Sequence, residues 1–424
     1  MTKQLFLRSG LIGLALVLLA ATGTAWYNKD LLKRVYLAST LFSGAEQYQR
    51  FGRIHELYDH TTVTASDTPS VFASGKALTL PVGFDHDGAY LASEQFLADT
   101  DTVALLVLHE GRMVHESYRL TGGEDVTWLS WSMAKSVIAT LFGIAVDEGH
   151  IASLDLTVTD YLPDFAGTAY DGVKLRDVLQ MSSGASWVED YSDPNSDINR
   201  FAKTFAFGKS FTDFAKTLAP AREPGRYKLY NSVDTQVLGL VLAEATGETV
   251  TDFMQSRLWS PMGAEHDAYW IVDSDGVEMS FGGLNATARD YAKIGQLYLD
   301  RGRVGDRQLV SEDWIAHATH PDSAHLAYRA ELAPDAPRGY GQDLGYGYQW
   351  WVLNGAATEF AAMGIYNMFI FVDRERDAVI VKLSANSNYG LSMDAETSQE
   401  PQSFSFFRSI VDALEQAPQD FAER

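Results

Sequence analysis

Ser132 and Lys135 stand three residues apart at the head of an apolar run. A serine and a lysine at that spacing can make a nucleophile and its base. On a helix, positions i and i+3 share one face, about 5–6 Å apart. A serine in the first turn lies at the positive end of the helix dipole, beside backbone N–H groups without helical partners. That setting favours an alkoxide, and the Ser132 N–H becomes one donor for an oxyanion. A lysine depressed in pKa by burial can take the serine proton. Taken alone, the pair is a weak motif and reads better as a helix cap beside a solvated lysine. The context decides for chemistry, because the run VIATLFGIAVDEG has helical spacing, ends at Gly149 and would carry Lys135 inward.

Two further groups fit the same chemistry. Tyr230-Asn231-Ser232 follows the turn Glu223–Tyr227 and precedes the apolar run VDTQVLGLVLAEATG. A tyrosine at such a junction can pass a proton to a leaving group; with twenty tyrosines in the chain, a packing role is its alternative. Met363-Gly364-Ile365-Tyr366-Asn367 opens the strand-like run MFIFVD. Glycine there allows close backbone approach, and the Ile365 N–H can be a second oxyanion donor. Other site types are weaker. There is no Gly-x-Ser-x-Gly and no phosphate-binding glycine loop. Asp85-His86-Asp87 and His317 with His320 have no convincing partner set for a metal, and surface histidines are the better reading.

The elements that must position these residues follow from apolar patterning. Thr102–Leu108 and Met113–Tyr118 read as a hairpin turning at His109–Arg112. Residues 150–285 read as largely helical, broken at Pro163, Ser182–Gly184, Pro194 and Pro224-Gly225. A helix from Asn285 leads to the strands YGYQWWVL, FIFVD and AVIVKLS, the last two joined through Arg374–Asp377. SFFRSIVDALEQA is an amphipathic helix. Strands thus flank a helical middle. The expected organisation is an α/β domain from residues 75–149 and 286–424, a helical domain inserted at 150–285, and a lead-in helix and linker at 28–74.

Bulk properties narrow the field. The 424 residues are 46% hydrophobic and 21% charged, an ordinary globular balance. Lys plus Arg number 33 against 56 Asp plus Glu, a net charge of −23, so the basic footprint of nucleic-acid binding is missing. No cysteine is present, which excludes disulfides, thiolate metal sites and a cysteine nucleophile. Lys3 and Arg8 precede the apolar run Leu11–Ala25, a pattern of export across a membrane. The weak cleavage site at Thr22–Ala25 favours an uncleaved anchor over residues 1–27 to a removed signal peptide.

The combination of motifs resembles the serine β-lactamase and penicillin-binding group. Within it, the chain is similar to the class C-like branch that includes 6-aminohexanoate-dimer hydrolases and related esterases. Trp131–Ser136, Gly149–Leu154, Leu175–Gly184, Gly282–Asp290 and Tyr346–Trp351 carry the resemblance, which spans about residues 75–415. It implies a β-lactamase/transpeptidase-like fold, α/β plus all-α, with an antiparallel sheet flanked by helices and the site between the domains. It also implies an acyl-enzyme on Ser132, proton transfer shared by Lys135 and Tyr230, oxyanion donors at Ser132 and Ile365, and no metal or other cofactor. The expected partner is a small amide or ester, with the membrane contacted through the N-terminal run.

Two departures matter. Ser232 stands where β-lactamases of this branch usually carry asparagine, and in this it resembles the dimer hydrolases, which have serine there. Ala362-Met363-Gly364 stands for the usual Lys-Thr-Gly box. The missing lysine would have met a substrate carboxylate, which argues against penicillin binding. Met363 and Tyr366 point to a more apolar pocket bounded also by Tyr191, Ser232 and Gly364. The loop Trp187–Tyr191 resembles the loop over the dimer hydrolase pocket, where Tyr191, Glu189 and Asp190 could meet an amine end; a surface loop with a packing aromatic fits it as well. The rivals are a peptidoglycan carboxypeptidase or β-lactamase and, from another class, a catalytically inactive envelope-binding protein.

Overall fold

The computed structural model describes residue 29 and residues 47–331, 341, 343–392 and 395–416. The apolar run Leu11–Ala25 lies outside the described residues. Among those described, no helix is long and apolar enough to cross a membrane.

The main sheet has seven antiparallel strands: Thr102–His109 (β1), Arg112–Tyr118 (β2), Gly345–Tyr346 (β3), Trp351–Val352 (β4), Glu359–Gly364 (β5), Met368–Asp373 (β6) and Ala378–Ser384 (β7). Their order is β3-β4-β5-β6-β7-β1-β2. Residues near both ends of the chain thus meet at β7–β1, where Ile380 faces Val107. Strands β5, β6 and β7 are buried at every residue, which is why they read as continuous apolar runs rather than alternating ones. Side chains still alternate between faces. Leu106, Ile370 and Val381 enter one core; Leu105, Phe369 and Ile380 enter the other.

Five helices matter for the site: Met133–Asp147 (α1), Asp197–Ala206 (α2), Ser232–Thr246 (α3), Ala288–Leu299 (α4) and Glu400–Gln416 (α5). Helix α4 crosses the sheet at Gly295, where a Cβ would come within 2.5 Å of Val379 and 2.8 Å of Ile370. Phe406, Phe407 and Ile410 of α5 cover the opposite face. Helix α1 is buried from Met133 through Ala145.

A second, four-stranded sheet corrects the expected pattern. It orders His60–Val63, Ala268–Ile271, Leu284–Ala286 and Trp128–Leu129. One strand falls in the stretch read as lead-in helix and linker, and two fall in the stretch read as helical. These strands are two to four residues long, and their partners are remote, such as Thr61 with Trp270. Local patterning carries little signal for them. YGYQWWVL is likewise not one strand. Gly345–Tyr346 turns back on Trp351–Val352, with Gln349 at φ 61° and Gly347 N–H bonded to Trp350 O. A Cβ on Gly347 would sit 2.1 Å from the Ala318 carbonyl oxygen, so the glycine permits the turn.

Candidate active site

The short strand Trp128–Leu129 delivers the chain to Ser132. Ser130 N–H bonds to Leu284 O at 2.6 Å, and Trp131 then takes a left-handed φ of 45°. For a bulky residue this conformation is strained and must be held by its surroundings. The Trp131 ring packs on Phe51 and Tyr366 at 5.4 and 5.6 Å between centroids. Ser132 occupies the N-cap of α1, yet its hydroxyl caps no backbone N–H. The hydroxyl instead meets Lys135, whose Nζ donates to Ser132 Oγ at 2.7 Å and to Phe281 O at 3.1 Å.

Lys135 is 1% exposed and lies 5.0 and 5.1 Å from the ring centres of Tyr230 and Phe281. Burial lowers its pKa to about 7, against the opposing pull of Glu189. A large fraction of Lys135 is therefore neutral near pH 7 and able to accept a proton. Tyr230 stacks on Trp351 at 5.2 Å, and the Ser132 hydroxyl lies near enough to favour its ionised form, a minor effect beside burial. Burial, then the Glu189 charge, pushes its hydroxyl well above the usual tyrosine range, so it stays protonated. Ser132 Oγ thus lies between a poised base and a proton donor.

Gly364 ends β5 against Ser132. A Cβ there would be 2.6 Å from Ser130 O and 3.4 Å from Ser132 N, so only glycine brings the strand so near. The next residues, Ile365–Asn367, turn into β6 with Tyr366 and Asn367 at φ 68° and 64°. This turn is braced from behind. Asn386 Nδ2 donates to Asn367 Oδ1 at 2.6 Å, and buried Lys382 reaches Asn367 O at 3.5 Å. Among the described residues, no other group accepts from the Ser132 or Ile365 amides.

A cavity of about 290 Å3 opens beside Ser132. Of the expected pocket residues, Tyr191, Ser232 and Tyr366 line it, as does Ile365; Gly364 lies behind, against the Ser132 amide, and Met363 packs into the core on the other face of the sheet. The acids of the Trp187–Tyr191 loop do not line it. Glu189 accepts from Trp187 Nε1 (2.6 Å), Tyr191 OH (2.7 Å), Ser232 N (3.1 Å) and Ser232 Oγ (2.7 Å). It clamps the loop to the N-terminus of α3, where a carboxylate is favoured by the dipole. Asp190 accepts from Ser192 N and Oγ in its own loop. Of the two readings of this loop, the one with a substrate amine is not favoured for Glu189, whose two oxygens already accept four bonds, and Asp190 stands off the cavity wall.

The other candidates fall apart in space. Asp87-Gly88 is the turn of a small hairpin, at φ 49° and 83°, and His86 bonds Ser405 at 2.9 Å. His317 stacks on Tyr348. Among the described residues, no three histidine or acidic side chains gather as a metal site. The sequence reading missed Lys228, Lys382 and Glu400. Lys228 is buried beside Trp351, donates to the Gly341 and Leu344 carbonyls, and is lowered to about 7 by burial. Glu400 accepts from the cavity-lining Tyr389 at 3.0 Å, with burial raising its carboxyl to about 8. Nothing in the local sequence marks them, because their burial comes from remote segments.

Comparison with known proteins agrees with this geometry. A 6-aminohexanoate-dimer hydrolase of Paenarthrobacter ureafaciens is 30% identical over 299 residues, 69% of this chain and 74% of that protein. A Bacillus anthracis structure assigned as a 6-aminohexanoate-dimer hydrolase superposes with TM-score 0.79 at 22% identity, over 90% of this chain and 97% of that one. A family VIII carboxylesterase gives TM-score 0.53 at 17% identity, over 74% and 92%. At such identities the two structures establish the fold alone. Residues 92–400 match the family model described as Beta-lactamase. Spanning as it does both halves of the main sheet and the segments that carry Ser132, Lys135, Tyr230 and Gly364, that match shows that the chain belongs to the beta-lactamase family.

Proposed function

We propose that the chain hydrolyses ester or amide bonds of small molecules through an acyl-enzyme on Ser132. Neutral Lys135 takes the Ser132 proton as Oγ attacks the substrate carbonyl carbon. The oxyanion forms between the Ser132 and Ile365 N–H groups. Tyr230 gives its proton to the departing oxygen or nitrogen and regains one from Lys135. Water then attacks the acyl carbon with the same groups in reverse, freeing the acid and Ser132. The carrying observation is the 2.7 Å contact from buried Lys135 to Ser132 Oγ. The relative named 6-aminohexanoate-dimer hydrolase supports this reaction class. The absence of lysine at Ala362-Met363 weighs against a β-lactamase or carboxypeptidase.

The test is a fluorophosphonate probe with peptide mass spectrometry. Ser132 should be the labelled residue, and Ser132→Ala and Lys135→Ala should abolish or greatly slow labelling. Well-folded protein that takes no label would favour the binding-protein alternative.

We also propose export, with residues 10–27 holding the chain in the inner membrane. Support comes from Lys3 and Arg8 ahead of the apolar run. The full chain should then sediment with membranes through high salt and dissolve in detergent, while a variant lacking residues 1–27 stays soluble. Recovery of the full chain in the cytosol would overturn this.

A further inference from the structure

We infer that the cavity beside Ser132 is an acyl site for an uncharged aliphatic chain, so that the substrates are esters or amides of medium-chain apolar acids. This rests on Ser132 being the residue acylated. The side of the scissile bond follows from the lining. Ser132, Ile365 and Ser232 border the cavity, but Tyr230 does not. A group that protonates the leaving atom must touch it. The leaving group therefore lies toward Tyr230, and the cavity receives the acyl part.

The chemistry of the acyl part follows from the walls. Ile198, Phe201 and Phe205 of α2 form one side; Ile271, Met279 and Phe281 form another. No described residue lining the cavity is Asp, Glu, Lys, Arg or His. The neighbouring carboxylate, Glu189, already accepts four hydrogen bonds. Gln47, Asn199 and Ser387 add neutral polar groups at the wall, but an ammonium or carboxylate placed here would lose its hydration and meet no opposite charge among the lining residues. An alkyl chain would instead leave water for apolar surface. The 290 Å3 volume equals the liquid share of roughly ten waters at ~30 Å3 each, which suits a chain of several methylenes. At the mouth, Leu391 is 69% exposed and also lines the cavity, so the apolar wall continues to solvent.

The test uses p-nitrophenyl esters on the full-length protein in mild detergent. The acyl series runs from acetyl to decanoyl and includes heptanoyl beside its near-isostere 6-aminohexanoyl. We expect kcat/KM to rise about fourfold per methylene until the cavity is full. Heptanoyl should exceed 6-aminohexanoyl by roughly tenfold or more, since the ammonium finds no carboxylate in the lining to offset its lost hydration. Ala202→Trp, which fills the cavity from α2, should lower the octanoyl-to-acetyl ratio by roughly tenfold. If that variant does not fold, the wild-type series still decides. A flat series, or 6-aminohexanoyl esters as good as heptanoyl, would overturn the acyl-site assignment; fluorophosphonate labelling of Ser132 in the same sample would leave the hydrolase reading intact. Absence of both labelling and turnover would overturn the two together.

Discussion

At the scale of single residues, the site is organised by what burial does to Lys135. Its pKa of about 7 means that the base form grows as pH rises through neutrality. Ester hydrolysis at low substrate should therefore climb along a limb centred near pH 7, read as kcat/KM against pH. Glu189 opposes the depression of Lys135. In Glu189→Gln that opposing charge is gone, Lys135 falls further, and the limb should move to lower pH; a limb that stays in place would show that the Glu189 charge is not felt. The same burial costs stability. A lysine whose folded pKa lies below its unfolded value of about 10.4 binds fewer protons when folded, so stability is lost below that value and most fully below the folded pKa. Lys135→Met should thus be inactive but melt higher, and its advantage should shrink between pH 7 and 10. Ser132, Lys135 and Tyr230 could be picked out as candidates from sequence because helix spacing and element junctions are local, and the fold brings the three together. Glu189 was misjudged because it meets Ser232 across 43 residues, and no local pattern shows that its oxygens are occupied.

At the scale of elements, glycines set how closely the working parts approach. Gly364→Ala would press a methyl onto Ser130 O and push β5 from the nucleophile. We expect kcat to fall about 10²–10³-fold, as for loss of an oxyanion donor, with the circular dichroism spectrum unchanged. Gly295→Leu would wedge α4 from the sheet at Val379 and Ile370, far along the chain from Ser132. It should cost about 1–3 kcal/mol in urea unfolding and leave the Ser132 labelling rate near normal. Long buried strands such as Ala378–Ser384 and the helices from Met133 and Ser232 were readable from apolar runs and their glycine ends. The two-residue pairs Gly345–Tyr346 and Trp128–Leu129 were not, since pairing rather than composition makes them strands.

At the scale of the whole molecule, the segments interlock. The small sheet joins residues 60–63, 268–271, 284–286 and 128–129, and the main sheet joins residues 102–118 to 345–384. Neither sheet can be completed by one continuous stretch. Calorimetry should show one cooperative transition with equal calorimetric and van't Hoff enthalpies; two separated transitions would mean that the parts melt independently. Residue types and spacing picked out Ser132, Lys135, Tyr230 and the Gly364–Ile365 strand entry as candidates, because each motif depends on neighbours a few positions away. They also specified an antiparallel sheet built from both chain ends. The fold alone decided that Glu189 clamps its loop to the start of α3 and that the space beside Ser132 is lined without charge among the described residues. Each of those depends on which distant side chains share a desolvated volume, and that is settled only when the whole chain closes around it.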